Sequence, residues 1–97
     1  HILENIVFLE LKHRGYNVFT GKLGDKETDF IAVKPNERKY IQVTETLINP
    51  DTRKRELYPL KAAKDNYEKM ILTADSFFVN TDEEGIKILN VIDWLLG

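Results

Sequence analysis

Apolar positions open the chain. Ile2, Leu3, Ile6, Val7, Phe8, Leu9 and Leu11 recur at helical spacing, and Lys12, His13 and Arg14 follow where the negative end of a helix dipole favours cations. The pattern predicts a helix from Ile2 to Arg14, closed by Gly15. Tyr16 to Thr20 is β-prone. Gly21 to Lys26 holds two glycines and an aspartate, which predicts a turn. Thr28 to Val33 and Lys39 to Thr44 read as two further strands, joined through Pro35-Asn36-Glu37, so the first three strands form an antiparallel meander. Asn49-Pro50-Asp51 is a helix start, with a capping side chain, a proline in the first turn and an acid at the positive dipole end. That helix runs to about Ala63, bent or restarted at Pro59. Lys69 to Thr73 and Gly85 to Asn90 read as short buried strands, and Val91 to Leu96 as a closing helix. The predicted order is α-β-β-β-α-β-β-α.

The 97 residues suit one domain, residues 1–97, with one core. No cap precedes the first helix, and this abrupt start at His1 predicts a piece of a longer protein. There is no cysteine, which rules out disulfides, cysteine-ligated zinc, iron–sulfur clusters and a thiol nucleophile. The only histidines are His1 and His13, so a serine triad would have to use His13. No apolar run reaches the ~18–20 residues of a membrane helix, and no signal segment opens the chain. A cytoplasmic protein with no membrane partner is expected. The net charge of −2 gives no general pull toward nucleic acid.

Three places break the apolar pattern. Glu4 falls between Val7 and Phe8 on the helix wheel, beside Leu11. It either reaches water at a rim or points into a cleft as a ligand. Asp29 shares alternation with Ile31 and Val33, either capping a strand edge or serving a site at the strand's open end. Gln42 and Thr44 share a face of the third strand with Tyr40, while Ile41 and Val43 take the other. Such a polar pair lines a site or bonds a neighbour. Arg53, Lys54 and Arg55 form a basic cluster at the start of the second helix, followed by Lys61 and Lys64. They read either as a solvated face with local ion pairs or as contacts to a phosphate backbone. Gly21-Lys22-Leu23-Gly24 lacks the spacing of a nucleotide phosphate loop. Most aromatic residues follow apolar faces; Phe77-Phe78 is a candidate contact patch.

A glutamate on the first helix, an aspartate on the second strand and an i, i+2 pair on the third form a layout that resembles the PD-(D/E)xK nuclease superfamily. Glu4 to Tyr16, Gly21 to Phe30, Tyr40 to Thr44 and Asp65 to Lys69 are closer still to one group. They are similar to the nuclease-like domain at the C-terminus of many bacterial and archaeal AAA-type ATPases, a domain of unknown function. The resemblance spans nearly the whole chain. It implies an α/β, restriction-endonuclease-like fold with an α-β-β-β-α-β core, a mixed sheet of four or five strands, and helices on both faces. It implies an upstream ATPase domain in a longer chain. It also implies magnesium, if the site is active, held by Glu4, Asp29 and Gln42.

The departures from that pattern bear on activity. Gln42 stands where the superfamily has its second acid, and Thr44 where it has its lysine. An amide oxygen can ligate magnesium but adds no charge, and threonine cannot supply the positive group. Lys22 or Lys61 could act as a migrated lysine. Three readings follow: a catalytically impaired module for interaction or regulation, with a homodimer among its partners; a magnesium-dependent DNA endonuclease resembling Holliday-junction resolvases, using Asp29, Gln42, Thr44 and Lys22; or a non-cleaving nucleic-acid-binding module using Arg53, Lys54 and Arg55.

Overall fold

The computed structural model describes residues 2–23, 26–77 and 79–97. His1, Gly24, Asp25 and Phe78 lie outside them, and with them the centre of the expected turn and half of the expected Phe77-Phe78 patch. The elements are α1 (Ile2–His13), β1 (Asn17–Leu23), β2 (Lys26–Lys34), β3 (Glu37–Thr44), α2 (Pro50–Ala62), β4 (Glu68–Thr73), β5 (Thr81–Glu83), β6 (Ile86–Asn90) and α3 (Val91–Leu96). The α-β-β-β-α-β order is present.

The described strands join one six-stranded sheet in the order β1-β2-β3-β4-β6-β5. The meander β1-β2-β3 is antiparallel. β3, β4 and β6 are parallel to one another, with α2 making the first crossover. β5 returns antiparallel to β6. The result is a mixed α/β sheet with one strand more than the upper expectation.

Alternation along the central strands builds two cores. Phe30, Ala32, Ile41, Val43, Met70 and Leu72 face α1 and α3, where Val7, Leu11, Val91 and Trp94 cover them. Tyr40, Ile71, Ile86 and Ile88 face α2, where Leu57 and Leu60 cover them. A sheet buried on both faces needs apolar residues at successive positions, which is what Met70, Ile71 and Leu72 supply.

The ends of the helices follow their local chemistry. Past α1, Gly15 takes φ = +90°, a left-handed value that side chains oppose. The Gly15 N–H donates to the Lys12 carbonyl at 3.0 Å and the Tyr16 N–H to the Leu11 carbonyl at 3.1 Å, the paired bonds of a Schellman cap. Asn49 caps α2, its side chain accepting from Asp51 N–H at 2.8 Å and Thr52 N–H at 3.4 Å. α2 continues through Pro59 to Ala62.

Two strand assignments are corrected. β1 does not end at Thr20: it shifts register between Phe19 and Gly21 and continues to Leu23. Gly21 marks a bulge inside the strand, and a side chain there would press on Ile31 Cδ1 at 3.0 Å. β5 has no counterpart in the expected order, because Thr81-Asp82-Glu83 is a polar three-residue edge strand with no apolar alternation to reveal it. Its turn into β6 places Glu84 and Gly85 at φ = 53° and 82°, the positive values a two-residue hairpin requires. No described helix is long and apolar enough to cross a membrane.

Candidate functional site

The sheet opens where β2 leaves β3. Their ladder runs from Lys34 opposite Glu37 to Phe30 opposite Ile41 and stops there. The next residues are Asp29 and Gln42, and their side chains take over the bonding that the backbones give up. Gln42 Oε1 accepts the Asp29 N–H at 2.6 Å and the Thr28 hydroxyl at 3.0 Å. Asp29 Oδ2 accepts the Val43 N–H at 2.8 Å. Gln42 Nε2 donates to Glu56 Oε1 on α2 at 3.3 Å. Gln42 and Thr28 are only 5% and 4% exposed, so these groups had to find partners within the protein. The amide orientation of Gln42 is set by its neighbours, since a backbone donor faces one end and a carboxylate the other.

Three carboxylates converge on this split. Burial pushes the Asp29 carboxyl up from its ordinary range, and the charge of Glu4 adds to the rise; the Val43 N–H opposes it. Burial pushes Glu56 up as well, with Asp29 and Glu4 adding to the rise and Arg55 opposing it. Glu4 itself lies exposed at the rim of α1. A cleft of about 580 Å³ lies on the α2 side, lined by Asp29, Gln42, Lys54, Arg55, Glu56 and Tyr58. A second, of about 510 Å³, lies on the β1 side and is lined by Glu4, Lys22, Thr28 and Asp29. Glu27 and Asp29 border both clefts.

The structure therefore places Glu4 and Lys22 on the β1-side cleft and Gln42, Lys54 and Arg55 on the α2-side cleft, with Asp29 common to both. It places the others elsewhere. Thr44 pairs across the sheet with Thr73, and its hydroxyl donates to the Thr46 carbonyl at 3.3 Å. Arg53 donates to Glu83 Oε1 at 2.6 Å. Lys61 lies 2.9 Å from Glu84 and 3.9 Å from Glu83, so the β5–β6 hairpin takes up the charge of both residues. Phe77 is 48% exposed.

Glu56 has no place in the layout expected from the sequence. A signal was present. Glu56 lies one turn before Leu60 and next to Leu57, so it interrupts the apolar arc of α2 much as Glu4 interrupts that of α1.

Among the described residues, no group of three or more histidine, cysteine, aspartate or glutamate side chains is gathered closely enough to hold a metal ion. An amide oxygen has two lone pairs, and both of those on Gln42 are occupied. A cation could recruit Gln42 only by displacing one of these bonds.

No protein-family model matches the chain, and no solved structure matches it. The chain is 46% identical over 94 residues to an uncharacterised protein of Haemophilus influenzae. The match covers 97% of this chain but only 22% of that longer protein, so the chain spans about a fifth of its relative's length.

Proposed function

We propose that this chain is a PD-(D/E)xK-type nuclease-fold module carried by a longer, ATPase-containing protein, weakened in hydrolysis and retained for interaction or regulation. One observation carries the reading. The positions that would hold magnesium are spent on structure, with Gln42 stitching β2, β3 and α2 together and Asp29 capping Val43 N–H. Thr44, in the place of the lysine, is turned to the Thr46 carbonyl. The α-β-β-β-α-β order and the position of Asp29 between Glu4 in one cleft and Gln42 in the other support the nuclease ancestry. The greater length of the Haemophilus relative supports a larger parent chain.

The test is a magnesium and manganese titration followed by NMR and calorimetry, up to about 10 mM, beyond the weakest protein calcium sites. It is paired with a cleavage assay on branched and linear DNA. The expected result is no saturable binding at Asp29 and no cleavage. Metal-dependent cleavage that disappears in Asp29→Ala would overturn the reading in favour of an active endonuclease.

A further inference from the structure

The layer formed by α1 and α3 is apolar on both sides. Inward, Val7, Leu11, Val91 and Trp94 are buried against the sheet. Outward, Ile2, Ile6 and Leu9 follow i, i+4, i+7 along α1 and are 76%, 39% and 65% exposed. On α3, Ile92 and Leu96 stand one turn apart and are 55% and 83% exposed. A surface helix ordinarily turns polar residues outward. Five aliphatic side chains on one layer expose several hundred Å² of apolar surface, the scale at which such surface marks a contact site.

We propose that the outer face of α1 and α3 is the interface of a two-fold homodimer. This names the partner in the interaction reading above and rests on that reading. Area is the first argument for a second copy. A standard interface takes about 800 Å² from each partner, a little over half of it apolar, and the five outward side chains supply most of that apolar share.

Charge is the second argument. α1 packs over β1, β2 and β3, and α3 over β4 and β6, so the helices lie side by side. Arg14 ties their C-terminal ends together, donating to the Trp94 carbonyl at 2.6 Å. A two-fold axis that lies in the interface, between the two helices and along them, would set α1 of one copy over α3 of the other with those ends level. Lys12 and His13 then face Asp93 of the second copy, and symmetry makes the contact twice. Lys12 and Asp93 are both exposed, and neither forms an ion pair within its own copy among the described residues. Glu10 and Arg14 already pair at 2.7 Å, so association strands neither charge.

Sedimentation equilibrium from about 1 µM to about 1 mM tests the proposal. The mass is expected to rise from one chain to two. Leu9→Glu and Leu96→Glu, both at exposed positions, should keep the far-UV spectrum and raise the midpoint concentration by about tenfold or more. Lys12→Asp should weaken association, and Lys12→Asp with Asp93→Lys should restore it, a rescue that unspecific apolar adhesion does not give. A monomer throughout the range overturns the proposal, including the case in which the rest of a longer chain covers this face. So does a dimer indifferent to Leu9→Glu. The metal and cleavage assays read the opening around Asp29 and Gln42, so a failure there is distinct from a failure here.

Discussion

The Gln42 amide oxygen stands 2.6 Å from the Asp29 N–H, serving as acceptor where the β2–β3 ladder has already stopped. A side chain here does the work of a strand. Gln42→Ala removes the acceptor for Asp29 N–H and the Thr28 hydroxyl and the donor to Glu56. Leaving buried donors unpaired costs about 1–3 kcal/mol each before relaxation, and we expect a total loss of about 2–3 kcal/mol by urea denaturation. A loss below about 0.5 kcal/mol, typical of a neutral surface change, would count against this structural role.

Gln42→Glu introduces the acid that the proposed nuclease ancestry calls for at this position and should behave differently. It adds a fourth carboxylate beside Glu4, Asp29 and Glu56 and removes the amide donor that Glu56 uses. The variant is expected to be less stable than wild type at neutral pH and to regain part of the loss in millimolar manganese, because a bound cation stabilises by mass action. Thermal melts with and without manganese check this. An equal manganese response in wild type contradicts it.

Stability should rise on mild acidification. Asp29 and Glu56 have folded pKa values raised above their ordinary carboxylate range, so the folded state holds protons more tightly than the unfolded state. Their contribution is fully present below the unfolded values, near 4, and is lost as pH rises through the higher folded values. Asp65, Glu68 and Asp75 are shifted down, and their contribution is lost as pH falls through their folded values. The most stable pH is therefore expected on the acid side of neutrality. Glu56→Gln should flatten this rise on the acid side of neutrality. An unchanged slope in that variant would remove Glu56 as its source.

Gly15→Ala tests the close of α1. The added methyl group meets only Lys34 Cε, at an ordinary 3.8 Å, so crowding is not the issue. The left-handed φ of +90° is, and we expect a loss of about 1–2 kcal/mol. Gly85→Ala has the same backbone sign, at φ = +82°, with nothing nearby to clash. Because the β5–β6 turn lies at the sheet's edge, it should be lost with less effect on the core transition. Denaturation of the two variants side by side distinguishes the positions.

Arg14→Ala should loosen the helical layer. Arg14 donates to Glu10 at 2.7 Å and to the Trp94 carbonyl at 2.6 Å, and its guanidinium lies 4.3 Å from the centre of the Trp94 ring. Bonds to a charged group are worth about 1.5–3 kcal/mol, and a stability loss in that range is expected. Trp94 is the only tryptophan, so its emission should shift to longer wavelength as water gains access. Unaltered emission would mean that Val91 and the sheet hold the ring without Arg14.

The sequence disclosed what periodicity controls and concealed what pairing controls. The alternation of Tyr40 and Gln42 against Ile41 and Val43 assigned both faces of β3, and the two cores confirm that assignment. Asn49-Pro50 located the start of α2. Gly21 misled because a glycine in a bulge and a glycine in a turn look alike along the chain; only the Ile31 contact across the strands separates them. β5 was hidden because an exposed edge needs no apolar residues. At the candidate site, the polar interruptions at Glu4, Asp29 and Gln42 were readable. The fates of Arg53 and Lys61 were not, since both depend on a hairpin far along the chain whose acids reach them only in the folded protein.

The parting of β2 from β3 also makes a seam. Beyond Phe30 and Ile41, the β1–β2 ribbon is held to the rest of the sheet by side chains rather than by a backbone ladder. Under force or in rising denaturant, the sheet should tear from that end, peeling the ribbon away while the parallel β3–β4–β6 block stays closed.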